Sequence, residues 1–163
     1  MNKLHKIDQL IKYIFAGVPA AQFESEIRGI DLNSIGTLGR TPLMAATVQG
    51  AIEVIEVLLR NGASVHATDS ERATALHEAS AIGEVEIANY LLAHGAEVDA
   101  ATVDGTTPLM CAAARGYLNV AKLLLKHGAN RGIIDSFGTT ASDIAREKGE
   151  SEVADWIETK HEM

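Results

Sequence analysis

Apolar residues recur along the chain at three- and four-residue spacing in short runs, and each run stops at a glycine. "EVIEVLLRNG", "EIANYLLAHG" and "NVAKLLLKHG" each place one apolar stripe on a short helix, as with Val54, Val57 and Leu58 in the first. Each is preceded by a different kind of run: "TPLMAATVQG", "TALHEASAIG" and "TPLMCAAARG" are poor in large side chains and rich in alanine. The pattern predicts pairs of short helices, the first thin-faced and the second striped. Between pairs, "ASVHATD", "AEVDAAT" and "ANRGIID" read as extended turns.

The pairs recur with a period of 33: Gly17, Gly50, Gly83, Gly116 and Gly149 keep it, as do Thr41, Thr74, Thr107 and Thr140, and Leu10, Leu43, Leu76 and Leu109. A fixed period of this length outranks any other fold signal. Thr41 and Thr107 suit helix N-caps, and Pro42 and Pro108 suit the first helical position, where an N–H would be unpaired anyway. Gly50, Gly83 and Gly116 suit left-handed helix ends. Alanine pairs such as Ala45 and Ala46, or Ala112 and Ala113, let neighbouring helices approach closely. One such pair cannot bury its own apolar face, so stacked pairs are expected.

Thr41-Pro42-Leu43-Met44-Ala45-Ala46, Thr74-Ala75-Leu76-His77-Glu78-Ala79 and Thr107-Pro108-Leu109-Met110-Cys111-Ala112, with "GASVHA", "GAEVDA" and "GANRGI", resemble the ankyrin repeat over roughly residues 31 to 160. The resemblance implies an all-α solenoid of antiparallel helix pairs joined by β-turn or hairpin loops, spanning 1–163 as one domain. Within it, 1–33 reads as an N-terminal capping unit using Phe23 and Ile27. Residues 34–67, 68–101 and 102–134 read as repeats, and 135–163 as a polar C-terminal cap closed by Trp156. Two departures stand out. Met44, Met110 and Asp143 replace the histidine kept at His77, which predicts loss of a side-chain bond to the turn. Arg72 stands where Gly39, Gly105 and Gly138 hold the turn tip, and it is strained if that position needs a positive φ.

Composition narrows function. Hydrophobic residues make up 47% and aromatics 4%, so the core is built from small side chains. The formal charge of −8 argues against nucleic-acid binding. Cys111 is the one cysteine, so no internal disulfide exists, and a reducing, cytoplasmic setting fits. No apolar run reaches the roughly 18 residues a membrane span needs. "KLHKIDQLIKYIFAGVPA" loosely resembles a signal peptide, but Asp8 and Lys12 interrupt it and Gly17 is in register with the repeat.

Candidate chemistry is sparse. His94 and His127 are equivalent in adjacent units, about 8–10 Å apart, too far to share a metal. They read as helix C-terminal residues, and His66 and Asp99 meet the same objection. Cys111 reads as a small buried hydrophobe with no histidine beside it in sequence. Phosphate loops, nucleophile elbows and zinc-helix motifs are absent from the sequence. No catalytic residue, metal or cofactor is expected, and the chain reads as a monomer on its own.

The resemblance implies that a partner protein docks on the concave face of turn tips and first helices. That surface maps to Leu38, Arg40, Val48 and Gln49 in the first full unit, and to Ser70, Glu71 and Ile82 in the next. It continues with Val103, Asp104 and Arg115, and ends at Phe137. Leu38, Val48, Ile82, Val103 and Phe137 form an apolar patch, unless some fold inward, as Phe137 would under the cap. Charge is banded: residues 68–101 hold seven acids and one base (−6), and 102–134 hold one acid and four bases (+3). The leading reading is a non-enzymatic interaction module acting as a regulatory scaffold or as an inhibitor or immunity partner of a basic protein. The alternatives are an enzyme or regulatory subunit with a site near Cys111 and His77, and a host-directed effector.

Overall fold

A computed structural model describes residues 3–159 and contains ten helices and no strand among them. α1 (Lys3–Phe15) and α2 (Ala20–Glu26) make the first pair, and α3 (Pro42–Val48) and α4 (Ile52–Arg60) the second. α5 (Ala75–Ile82) and α6 (Val85–Ala93) follow, then α7 (Pro108–Ala114) and α8 (Leu118–Lys126), then α9 (Ala141–Glu147) and α10 (Ser151–Glu158). Odd-numbered helices form an inner row in which each packs on the next, and even-numbered ones form an outer row. The outer row is tight between α6, α8 and α10 but loose between α4 and α6.

The inner row is close because its contact residues are small. Ala46, Ala79, Ala112 and Ala145 occupy one repeat position and are all 0% exposed. The next position reads Thr47, Ser80, Ala113 and Arg146. The first three are buried, and the Thr47 and Ser80 hydroxyls donate to Leu43 O at 2.9 Å and Leu76 O at 2.7 Å. Arg146 ends that series, since among the described residues no inner helix follows α9. It is exposed and pairs with Glu158 at 2.6 Å. The same logic shapes both ends. Ile7, Leu10, Ile11 and Ile14 of α1 are buried, as are Phe23 of α2 and Ile27 at its C-terminal end. The segment with a loose signal-peptide pattern is thus the first inner helix. At the other end Val153, Ala154 and Ile157 close the core. Trp156 is only half-buried, with the Lys122 ammonium 5.3 Å from its ring centre, so it flanks the closure it was expected to make.

The helix starts obey the threonine pattern. Met44 N–H donates to Thr41 Oγ1 at 3.3 Å and Met110 N–H to Thr107 Oγ1 at 3.4 Å. The expected loss at the substituted histidine positions is only partial. Asp143 Oδ2 accepts from Thr140 N–H at 2.9 Å, and Met110 Sδ accepts from Thr107 N–H at 3.4 Å. His77 does more: Nδ1 accepts from Thr74 N–H at 3.1 Å, and Nε2 lies 3.1 Å from Thr106 O in the following unit. Other staples run between units. Asn33 Oδ1 accepts from Ser64 N–H at 2.7 Å, and Asp99 Oδ1 from Asn130 N–H at 3.0 Å.

The turn tips vary in how they are held. Asp69 and Asp135 fold each tip onto a carboxylate: Asp69 Oδ1 accepts from Glu71 and Ala73, and Asp135 Oδ1 from Phe137 and Thr139. The first full unit has Gly36 instead, and Asp8 of α1 supplies the carboxylate, accepting Thr37 N–H at 2.6 Å. A Cβ at Gly36 would lie 2.7 Å from that carboxylate oxygen and 2.7 Å from Ile11 Cδ1, so an aspartate there would have to push both side-chain ends aside. The tip position of Gly39, Gly105 and Gly138 has φ of 75°, 84° and 78°, and Arg72 adopts 63° in the same place. The left-handed region is required, and Arg72 is the strained residue.

Two outcomes follow. Arg72→Gly relieves a left-handed cost of about 1–2 kcal/mol and adds unfolded-chain entropy of about 0.5–1 kcal/mol. Urea unfolding should therefore show a gain of up to ~1 kcal/mol with unchanged slope. His77 is 3% exposed, and burial lowers its pKa below 6.5, against smaller opposing effects of the Thr106 and Ala100 backbone and of Asp69 and Glu78. The unfolded chain then binds the proton first, so His77's contribution is complete above 6.5 and is lost as pH falls towards the folded value. Stability should drop by up to about 1.4 kcal/mol per pH unit below that point, and His77→Gln should remove this slope.

Candidate functional site

The candidate surface has two parts, the row of turn tips and the inner-helix face beside it. The row exposes Leu38 at 60%, Val103 at 65% and Phe137 at 80%. Phe137 does not fold inward under the cap. Ser70, Glu71 and Asp104 are exposed tips as well. Glu71 O accepts Val103 N–H at 2.9 Å and Asp104 O accepts Ser136 N–H at 2.8 Å, tying the third, fourth and fifth pairs' tips into a ladder. Among the described residues no such bond joins the second pair's tip to the third. Arg40 Nε instead donates to Glu78 Oε1 at 3.0 Å across that junction.

The inner-helix part is less apolar than the sequence suggested. Val48 and Ile82 are half-buried at the ends of α3 and α5, while Gln49 and Arg115 are exposed. The apolar patch is therefore concentrated at the tips. Arg40 is half-buried by its pairing with Glu78.

Three residues of this surface escaped the sequence mapping. Ala45, Glu78, Cys111 and Ile144 share one repeat position, and their changing chemistry inside a repeated phrase was the available signal. Glu78 and Cys111 are half-buried there, not fully enclosed among alanines. Burial pushes the Cys111 thiol up to about 11; the charges of Glu78 and Asp104 add to this and Arg115 opposes it. His77 cannot serve as its base, since both ring nitrogens are engaged with Thr74 and Thr106. The third is Ile134, 59% exposed beside half-buried Ile133. Alternation in "GIID" marks one isoleucine as outward-facing.

The other candidate groups stay apart. Among the described residues no cluster of three histidine, cysteine or carboxylate groups could hold a metal. His94 and His127 cap α6 and α8, and His94 Nδ1 lies 2.8 Å from Tyr90 O. His66 Nδ1 is 4.0 Å from Glu97 Oε1. Cavities lie off the concave face: about 150 Å³ by Lys6, Tyr13 and Arg28 at the first pair, and about 320 Å³ by Leu59, Arg60 and Tyr90 between α4 and α6. No helix among the described residues is long and apolar enough to cross a membrane.

The stack geometry agrees with comparison against known families. A model described as Ankyrin repeats (3 copies) matches residues 6–102, and one described as Ankyrin repeat matches residues 104–136. The chain belongs to the ankyrin-repeat family. The match begins at residue 6, so the ankyrin-repeat character includes the first pair, which the sequence motifs alone placed outside the resemblance. Beyond residue 136 the α9–α10 pair continues the ankyrin stack on packing alone. No curated protein matches the chain.

The thiol supplies a direct check of this surface. A pKa of about 11 against an ordinary 9.0 predicts native labelling of Cys111 about 100-fold slower than in the unfolded chain at neutral pH. Disulfide-exchange labelling with and without urea measures it. Native labelling as fast as unfolded would reveal an activated thiol.

Proposed function

We propose that this ankyrin-repeat chain is a non-catalytic docking module that binds another protein along its turn tips and the adjoining inner-helix face. Ankyrin repeats generally mediate contact between proteins, which supports the class of activity. The observation that carries the reading here is the placement of Leu38, Val103 and Phe137, each at least 60% exposed, on one row. Large apolar side chains left in water on one edge mark a surface that is covered in use. The contact set comprises Leu38, Arg40, Val48, Gln49, Ser70, Glu71, Ile82, Val103, Asp104, Arg115 and Phe137, joined by Glu78, Cys111 and Ile134.

A finer reading concerns the partner's charge. Asp69, Glu71, Asp104 and Asp135 line the same row as the exposed apolar side chains. We propose a partner whose facing surface is basic, which fits an inhibitor, an immunity protein or a scaffold for a basic protein. Attraction of this kind speeds encounter and fixes register more than it adds affinity. The reducing interior of a cell is the proposed setting.

Affinity capture from source-cell lysate with wild type and a Leu38→Asp/Ile82→Asp variant tests the surface. The partner should be retained by wild type and weakened at least about tenfold by the variant, whose helicity is checked by circular dichroism. Its binding should also weaken as sodium chloride rises. Equal retention by both folded proteins would move the contact elsewhere.

A further inference from the structure

The tip ladder has a direction, and its two ends differ. Each bond runs from an N–H of one tip to a C=O of the tip before: Val103 to Glu71 at 2.9 Å, then Ser136 to Asp104 at 2.8 Å. The next acceptor in this series is Phe137 C=O, and among the described residues no backbone N–H reaches it. Beside it stand the exposed side chains of Phe137, Ile134 and Val103, the first 80% exposed. At the leading end, the third pair's tip, the corresponding donor is Ser70 N–H, and among the described residues no backbone C=O receives it; one unit earlier the same position is Thr37, whose N–H Asp8 holds at 2.6 Å.

This asymmetry bears on what could cover the trailing end. A second copy of the chain would extend the ladder by offering its own leading tip, but that tip is acidic, with Asp69 and Glu71 beside Ser70, and would meet Asp104 and Asp135 of the first copy. The occupant must bring a free backbone N–H, which an extended segment offers along its length and a helix only in its first turn. Its side chains meet an apolar surface with an acidic rim. Asp104 lies next to Val103, and Asp135 between Ile134 and Phe137. Hydrogen bonds from Thr102 and Thr106 hold the Asp104 carboxyl below its ordinary range, and bonds from Thr139 do the same for Asp135, so both are charged at neutral pH. Two cations of the trailing units are engaged, Arg131 donating to Ile157 O at 2.7 Å and Arg146 to Glu158 at 2.6 Å, while Arg115 is exposed.

We propose that the trailing end of the tip ladder receives an extended segment of a different protein, carrying a large apolar side chain flanked by lysine or arginine. The segment donates a backbone N–H to Phe137 C=O, sets its apolar side chain on Phe137 and Ile134, and places its cations by Asp104 and Asp135. The proposal rests on the docking reading above and narrows it to one end of the row.

Selection from a displayed library of random twelve-residue peptides tests it, with affinities of the recovered peptides measured by fluorescence anisotropy. The expected peptides combine lysine or arginine with a large apolar residue. They should bind Ile134→Ser/Phe137→Ser at least about tenfold more weakly and Glu53→Gln/Glu56→Gln, exposed on α4, about as well as wild type. Both substituted residues of the first variant are exposed, so its fold should be unchanged by circular dichroism. Raising sodium chloride from low to high should weaken binding several-fold, as screening requires. Recovery of no peptide, or of peptides indifferent to the Ile134/Phe137 change, overturns the proposal. So does a dimer in sedimentation that this change dissociates, which would make the occupant a second copy. Either result leaves the docking reading to the lysate experiment, where the groove variant decides.

Discussion

The close approach of the inner helices is the constraint on which the rest depends. It is set by one methyl group per unit, at Ala46, Ala79, Ala112 and Ala145. A larger side chain there would hold neighbouring helices apart and strain a row packed without space to spare. That spacing brings successive loops within reach of one another. The His77 ring meets Thr106 O, Asp99 meets Asn130, and the tips exchange backbone bonds, all because the helices behind them are close. None of these bonds could form if the inner row were spaced by leucines.

The same economy decides which apolar residues are left over. Outer helices bury their stripes, as Val54, Ile55, Val57 and Leu58 do in α4. Inner helices have few large side chains to place. The tips carry no packing duty, since their shape comes from carboxylates and backbone bonds. A bulky residue there is thus free of the fold's own requirements, and Leu38, Val103 and Phe137 add nothing visible to the core. The ankyrin framework separates the residues that build from the residues that display.

The architecture was legible in the sequence because the framework repeats. The threonine caps, the terminal glycines and the strained tip at Arg72 follow from the period and from the stereochemistry of single residues. What escaped was non-local. Nothing in "SIGTLG" says that Asp8, far back in the chain, supplies the carboxylate missing at Gly36. The depth of Val48 and Ile82 is set only in the folded stack, and the charges that act on Cys111 include Glu78, one unit back in the chain. Sulfur standing in for an imidazole acceptor at Met110 was invisible to a reading that counted only nitrogen and oxygen. Repetition reveals the frame, while departures from it acquire meaning only beside their neighbours in space.

The junction between the second and third pairs is held differently from the rest. Its tips share no backbone bond among the described residues, α4 and α6 pack loosely, and a cavity of about 320 Å³ opens between them. The Arg40–Glu78 pair and the inner contact of α3 with α5 span it. A curved rod yields first where its cross-section is weakest. Bending load applied to the two ends of this one would therefore fall first on that joint.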